Sequence, residues 1–365
     1  MDFGLIGLAR SGKTTVFDAI TGGHVPTGAY EAGGPHVGVV KVPDERLDRL
    51  ASHFQPKKTT HADARFLDFP GAVFARGFGR GGGAAQVLAT LGHADGLVHV
   101  VRAFRSEHVP HPEGSVDPHR DVATMDMELA FADLAFLEKR LERLDTAVRS
   151  ARAGEREQGE RELALLRRLK EGLEAETPLR AQNLSPEEVR AIENYDLLTA
   201  KAELLLLNLD EADLGRADEV AAEAGARWGG PHRQVAWLCA ELEMELGELP
   251  PEEAGEMRAS YGLAEAGRDS VVRACFDLLG LVSFFTINPE EAHAWTVPRG
   301  TTTLHAAGKV HTDMERGFVR AEVLTWQELL DHGSLAEARK HGVLRIEGKE
   351  YRVQDGDVIH ILFSV

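Results

Sequence analysis

Gly7 and Gly12, followed at once by Lys13 and Thr14, set a GxxxxGK(S/T) spacing in residues 3–20, FGLIGLARSGKTTVFDAI. The chemistry this spacing serves is the holding of phosphate. A strand ending at Gly7 and a helix beginning near Thr14 force the chain between them to curl. The N–H groups of Arg10, Ser11, Gly12, Lys13, Thr14 and Thr15 then face phosphate oxygens. Lys13 reaches the β- and γ-phosphates, and the Thr14 hydroxyl ligates Mg²⁺. The expected ligand is a nucleoside triphosphate with its magnesium ion.

Two later segments extend this site. Asp68-Phe69-Pro70-Gly71 follows a run that reads as a strand. Its carboxylate is placed to hold Mg²⁺ through water, and the Gly71 N–H to meet a γ-phosphate. The glycine-dense stretch 76–83 (RGFGRGGG) then reads as a mobile switch segment, with a plain loop as the alternative. The base-side segment is 206–211, LLNLDE, where Asn208, Leu209 and Glu211 are the candidates for base contact. GTPases commonly carry N-K-x-D here, the aspartate accepting two hydrogen bonds from guanine. The extra methylene of Glu211 displaces that carboxylate. An unmet polar group costs roughly 1–3 kcal/mol, about 5- to 150-fold in affinity, so ATP is favoured and GTP is the alternative.

The elements that position these residues follow from hydrophobic pattern. Short apolar runs at 3–7, 38–42, 64–68 and 96–101 alternate with helical stretches, which implies a mostly parallel sheet in an α/β fold. From 125 to about 173 the sequence is long-helical. Leu134, Leu137, Leu141, Leu144 and Val148 form an a/d seam, resumed by Leu166, Leu169 and Leu173 after a turn expected at Ala153-Gly154. Strand signals return at 203–208 and 233–238, so the helical pair is inserted into the α/β domain. Beyond 278, short strand-like runs at 284–287, 295–297, 319–323, 344–346 and 358–363 imply a small β-rich domain. The expected domains are 1–124 with 198–277 for nucleotide binding, 125–197 for the helical insertion, and 278–365 for the β-rich domain.

Composition bounds the rest. Net charge is −18, from 59 acidic and 41 basic residues, against nucleic-acid binding by the whole surface. Two cysteines, Cys239 and Cys275, supply neither a disulfide framework nor a zinc site. No run of 18 apolar residues and no leader-like start is present, so a cytoplasmic protein without a membrane segment is expected.

With these residues in view, the chain resembles the Obg-like ATPases of the YchF type over nearly its whole length. Asn208–Glu211 matches the family's NxxE, with Cys239-Ala240-Glu241 at its last base-side loop. Val42-Pro43-Asp44-Glu45-Arg46-Leu47, Leu197-Leu198-Thr199-Ala200-Lys201, Ala294-Trp295-Thr296 and Glu315-Arg316-Gly317-Phe318 are similar as well. The resemblance implies an inserted coiled coil, a C-terminal β-grasp-like TGS domain, and slow Mg²⁺-dependent ATP hydrolysis coupled to ribosome association. It implies His111 as the residue that positions water, because Ala72 and Val73 stand where GTPases carry a glutamine. His108 and His119 lie in the same segment. The first switch departs from the family pattern, with Ala32 where threonine is expected and Thr27 the nearest substitute. Weak turnover is therefore expected. A nucleotide-gated binding module without hydrolysis and a GTPase are the alternatives. Residues 138–171 hold ten basic and eight acidic side chains, a local reversal of charge that suits ribosomal RNA as a partner. Arg149, Arg152, Arg156, Arg161, Arg167 and Arg168 lie along it.

Overall fold

The computed structural model describes residues 1–23, 34–69 and 84–364. The chain forms two compact units, residues 1–40 with 65–278, and residues 41–64 with 279–365.

The first unit is built on a six-stranded sheet in the order β2-β4-β1-β5-β6-β7. Its strands are β1 (Asp2–Ile6), β2 (His36–Lys41), β4 (Asp63–Asp68), β5 (Gly96–Arg102), β6 (Ala202–Asn208) and β7 (Arg233–Leu238); β3 (Lys58–Thr60) belongs to the second unit. The ladders β4-β1, β1-β5, β5-β6 and β6-β7 are all parallel. β5 is buried at every position and β6 at all but its first. Such near-continuous burial is what a parallel sheet covered on both faces requires, here with His99, Arg102, Glu203 and Asn208 among the apolar residues. Ile6, Leu67 and Leu97 pack with Leu91 of α3 (Ala84–Gly92) and with Met125 and Leu129 of α4 (Pro118–Ser150). The register sets Arg102 beside Asn208 and Asn208 beside Leu238, so the carboxyl ends of the central strands finish level. In an open α/β sheet that edge is where ligands bind.

Between β5 and β6 lies the helical insertion. α4 runs 33 residues, started by Pro118 at its first turn and by the Asp117 side chain, which accepts from His119 N and Arg120 N. α5 (Ala153–Glu174) returns beside it. Leu137, Leu144 and Val148 meet Leu163, Leu166, Leu169 and Leu173 in one cluster, with Leu134 and Leu141 against it, as the 3,4 spacing dictates. The reversal falls at Ala151-Arg152, two residues before the expected Ala153-Gly154, which starts α5 instead. A short α6 (Pro186–Ile192), started by a Ser185–Glu188 capping box, leads back toward the sheet. Asp133, buried in α4, accepts from Leu198 N, Thr199 N and Thr199 Oγ1, and so pins the turn that feeds β6. After β6 come α7 (Ala217–Trp228), then β7, α8 (Ala240–Gly247), α9 (Pro251–Ser260) and α10 (Gly267–Leu278).

The second unit holds a mixed sheet in the order β11-β10-β12-β8-β9-β3. Its strands are β8 (Leu281–Ile287), β9 (Glu291–Pro298), β10 (Phe318–Thr325), β11 (Arg345–Glu347) and β12 (Asp357–Phe363). β8 pairs antiparallel with β9 and parallel with β12, so the first and last strands of residues 279–365 lie side by side. Ala306 and Ala307 of α11 (Thr303–Val310) pack on Val282, Phe284, Val323 and Ile361. A short α12 (Thr312–Arg316) follows. The other face meets Leu47 and Leu50 of α2 (Glu45–Phe54), Leu329 of α13 (Trp326–His332) and Ala338 of α14 (Leu335–Lys340). Residues 41–64, an excursion from the first sheet, thus lend α2 and β3 to this unit, with β3 parallel to β9.

Candidate nucleotide-binding site

The site begins at the end of β1. The loop to α1 (Lys13–Thr21) turns through Arg10 at φ 63 and Gly12 at φ 84. Both lie in the left-handed region, which glycine enters freely. A side chain at Gly12 would strike the Asn208 amide, and one at Gly7 would stand 2.7 Å from Ser11 Oγ and 2.8 Å from the Val100 carbonyl. Lys13 is buried, and its ammonium donates to the Asp68 carboxylate and, at 2.5 Å, to the Phe69 carbonyl. Burial draws the Lys13 pKa down, while the Asp68 charge opposes the shift. Thr14 Oγ1 donates to the other Asp68 oxygen at 3.1 Å. Asp18, one turn into α1, has its pKa raised by burial and by the Asp68 charge. Sequence-expected Lys13, Thr14 and Asp68 therefore converge on one point. Ser11 Oγ, buried beside them, has no hydrogen-bond partner among the described residues.

The base side is assembled by Asn208. Its Nδ2 donates to the Ser11 carbonyl at 3.2 Å, and its Oδ1 accepts from Ala240 N at 3.3 Å. One buried amide thus ties the phosphate loop to the start of α8. Leu209 N donates to the Leu238 carbonyl, and the Leu209 side chain is buried in the apolar cluster above β6. Asp210 caps the following turn by accepting from Ala212 N. Glu211 accepts from the Tyr261 hydroxyl at 2.7 Å. Arg10, Gly12, Thr15, Phe104, Asn208 and Glu211 border a cleft of about 500 Å³. That volume lies within the ordinary range for a small-molecule site. Cys239 also borders it; burial foremost pushes its thiol up to about 11.

His111 lies in the loop between β5 and α4. Its Nδ1 accepts from Glu113 N at 3.1 Å, which puts the proton on Nε2, facing Asp121 Oδ2 at 2.9 Å. Its side chain is 4% exposed. In this arrangement both ring nitrogens are engaged, and His111 borders the pocket next to the nucleotide cleft. Arg102, unmarked by any motif, is the largest fully buried side chain of the protein's described residues. Its guanidinium donates to the carbonyls of Arg10 (3.3 Å), Phe104 (3.3 Å) and Val109 (2.6 Å), and stacks on the Phe104 ring. It joins the phosphate loop to the His111 loop. Gly71, Ala72, Val73, the stretch 76–83, Thr27 and Ala32 lie outside the described residues. Along the hairpin, Arg149, Arg156, Arg161, Arg167 and Arg168 pair with neighbouring carboxylates, and Arg152 is exposed at the turn. No helix among the described residues is long and apolar enough to cross a membrane.

A parallel sheet with a glycine-bounded phosphate loop after β1, an Asp68 carboxylate at the end of β4 and a base-side loop after β6 defines a P-loop nucleotide-binding protein of the GTPase-like kind. The comparisons then give the particular family. Residues 281–364 match the family model YchF-GTPase_C, described as "Protein of unknown function (DUF933)". The chain is similar to the ribosome-binding ATPase YchF of Bacillus subtilis (strain 168), 36% identical over 366 residues and 99% of each chain. It is also similar to that of Escherichia coli O157:H7, 35% identical over 370 residues and again 99% of each. A solved structure of the Schizosaccharomyces pombe YchF GTPase superposes with a TM-score of 0.84 at 30% identity, covering 99% of this chain and 97% of that one. The chain belongs to the YchF family.

Proposed function

We propose that this protein is a Mg²⁺-dependent ATPase of the cytoplasm whose bound nucleotide controls its association with the ribosome, the C-terminal unit serving as a TGS domain. The observation that carries the reading is the joint engagement of Asp68 by Lys13 and Thr14, whose chain neighbours Gly12 and Thr15 border a nucleotide-sized cleft. A triphosphate would supply new anionic partners for Lys13, and the Asp68 and Thr14 oxygens would then be free to hold a hard cation. The pair therefore exchanges partners rather than losing them, and no buried charge is stranded. The Arg10–Thr15 loop holds the phosphates, and the Gly71 N–H contributes once nucleotide is bound. Thr14 and Asp68 would hold Mg²⁺, which would supply positive charge where negative charge develops on the phosphates. His111, once released from Asp121, presents its imidazole to water. Residues 1–124 with 198–277 form the nucleotide-binding part except for 41–64, which lie in the second unit; 125–197 form the inserted part and 278–365 the rest of the C-terminal part. The exposed hairpin end, with Arg149, Arg152 and Arg156, is the segment offered to ribosomal RNA.

Base choice rests on Asn208, Leu209 and Glu211, with the Glu211 carboxylate turned toward Tyr261. The relatives named above differ in name, the bacterial ones being called ATPases and the fission-yeast one a GTPase. Calorimetric titration of ATP and GTP in the presence of Mg²⁺ tests the choice directly. ATP is expected to bind more tightly, and Glu211→Asp to narrow the gap by about 5-fold or more. A GTP preference in the wild-type protein overturns this use of Glu211. Co-sedimentation with ribosomes in ATP, in ADP and without nucleotide tests the second half; equal recovery in all three defeats it.

A further inference from the structure

The fourth residue of the phosphate loop is an arginine that no carboxylate holds. Among the described residues Arg10 makes no ion pair; its Nη1 donates to the neutral carbonyl of Pro110 at 2.9 Å, and its side chain is exposed. Most arginines of the hairpin behave differently, each lying against an acid. The Arg10 backbone is meanwhile fixed. It sits at φ 63, where a non-glycine residue is strained, and its own carbonyl is gripped by buried Arg102. Strain of this kind persists where surrounding contacts over-determine it, and such positions cluster at functional sites. Arg10 also borders the cleft shared with Gly12, Thr15 and Asn208. An exposed guanidinium, held by one neutral carbonyl, therefore stands on a fixed root in the phosphate loop.

We infer that Arg10 is a catalytic residue that stabilises the hydrolytic transition state from within the phosphate loop, in the place of an arginine supplied by a partner. The inference rests on the ATPase reading above. In the reaction the water oxygen bonds to the γ-phosphorus as the bond to the β,γ-bridging oxygen breaks. The electron pair of that bond leaves with ADP, and one water proton passes to a γ-phosphoryl oxygen, giving inorganic phosphate. Negative charge shifts toward the bridging and γ-oxygens as this happens. Arg10 leaves the Pro110 carbonyl, one residue from His111, and donates to those oxygens. The gain falls in the transition state, because Lys13 already offers its charge to the phosphates in the ground state. A guanidinium in this role accelerates hydrolysis about 10³- to 10⁵-fold. It also answers a deficit legible in the sequence, since Ala72 and Val73 offer no side chain able to orient or polarise.

The test is single-turnover hydrolysis and ATP affinity of the full-length protein, wild type against Arg10→Ala and Arg10→Lys. Arg10→Ala is expected to slow hydrolysis at least about 100-fold, with ATP affinity changed less than about fivefold. Formation of the ADP–aluminium fluoride complex, which mimics the transition state, is expected to be lost. Arg10→Lys recovers only part of the rate, because an ammonium lacks the planar fork. A rate within threefold of wild type overturns the inference. So does an equal loss in rate and affinity, the signature of a tether to Pro110 and nothing more. A wild-type rate no faster than that of Lys13→Ala overturns the ATPase reading itself, and this inference with it.

Discussion

Replacing Lys13 by alanine is expected to weaken ATP binding about 10- to 150-fold and to reduce hydrolysis to background. The first figure is the worth of one charge-assisted hydrogen bond to phosphate, about 1.5–3 kcal/mol. The second follows because charge moves onto the γ-phosphoryl oxygens as the bond breaks, so the loss is greater in the transition state than in the ground state. Lys13 is an ion-pair partner of buried Asp68, and removing its ammonium takes that partner from the carboxylate in the nucleotide-free protein. That leftover charge also destabilises the fold, on the order of 3–5 kcal/mol for a buried pair broken on one side. Lys13→Ala combined with Asp68→Asn is therefore expected to recover stability while leaving ATP bound weakly and hydrolysis absent. Calorimetric affinity, single-turnover rates and thermal unfolding separate the three effects. An ATP affinity for Lys13→Ala within threefold of wild type would show that the loop does not hold the nucleotide through this residue.

How much of this was legible in the sequence differs from residue to residue. Gly7 to Thr14, Asp68 and Asn208 were legible because their chemistry is local: each depends on a spacing within one loop or on a strand end. The hairpin seam was legible for the same reason, since positions three and four apart on a helix share a face whatever lies elsewhere. Arg102 was not, because a lone arginine closing the apolar run GLVHVV reads as the end of a strand. Its partners, the carbonyls of Arg10, Phe104 and Val109, carry no side-chain signature at all. Asp133 was missed because the amides it caps stand 65 and 66 residues away. Residues 41–64 were assigned to the first domain by proximity in sequence, whereas β3 finds its parallel partner in β9, beyond residue 290. The β-rich reading of the C-terminal part likewise passed over α13 and α14, whose seven and six residues are too short for periodicity to declare them.

Glu203→Gln is expected to destabilise the protein by about 3–5 kcal/mol at pH 7, lowering its melting temperature on the order of 10 °C. Glu203 is fully buried on β6. Its carboxylate meets the Arg180 guanidinium and Arg233 Nε (3.1 Å), and lies 3.4 Å from His99 Nδ1. Asp126 of α4 closes the group through Arg233, at 2.8 Å, and Arg180, at 3.6 Å. Burial alone would raise the Glu203 pKa, yet Arg180, His99 and Arg233 together hold it down at about 2. The amide keeps the shape and removes the charge, so buried Arg180 and half-buried Arg233 share one partly exposed aspartate. The sign of the pH effect follows from the depressed pKa. The ordinary value in the unfolded chain is about 4.3, so the stabilisation is complete above that pH. It drains away as pH falls from about 4.3 toward 2, where the folded carboxylate takes up its proton. Urea unfolding of wild type and variant should thus give a constant difference from pH 7 to about 5 and a shrinking one at pH 4 and 3. A difference below about 1 kcal/mol at pH 7, or one unchanged at pH 3, would show that this cluster does not act as an ion network. Arg180 follows the hairpin and Asp126 lies near its start, so the same charges fasten the inserted helices to β5, β6 and β7. Those strands end at Arg102, Asn208 and Leu238. One buried carboxylate therefore ties the base of the hairpin to strands whose other ends carry the nucleotide cleft. Loosening it should raise backbone amide exchange in the 103–117 loop and at 208–211 before it unfolds the sheet.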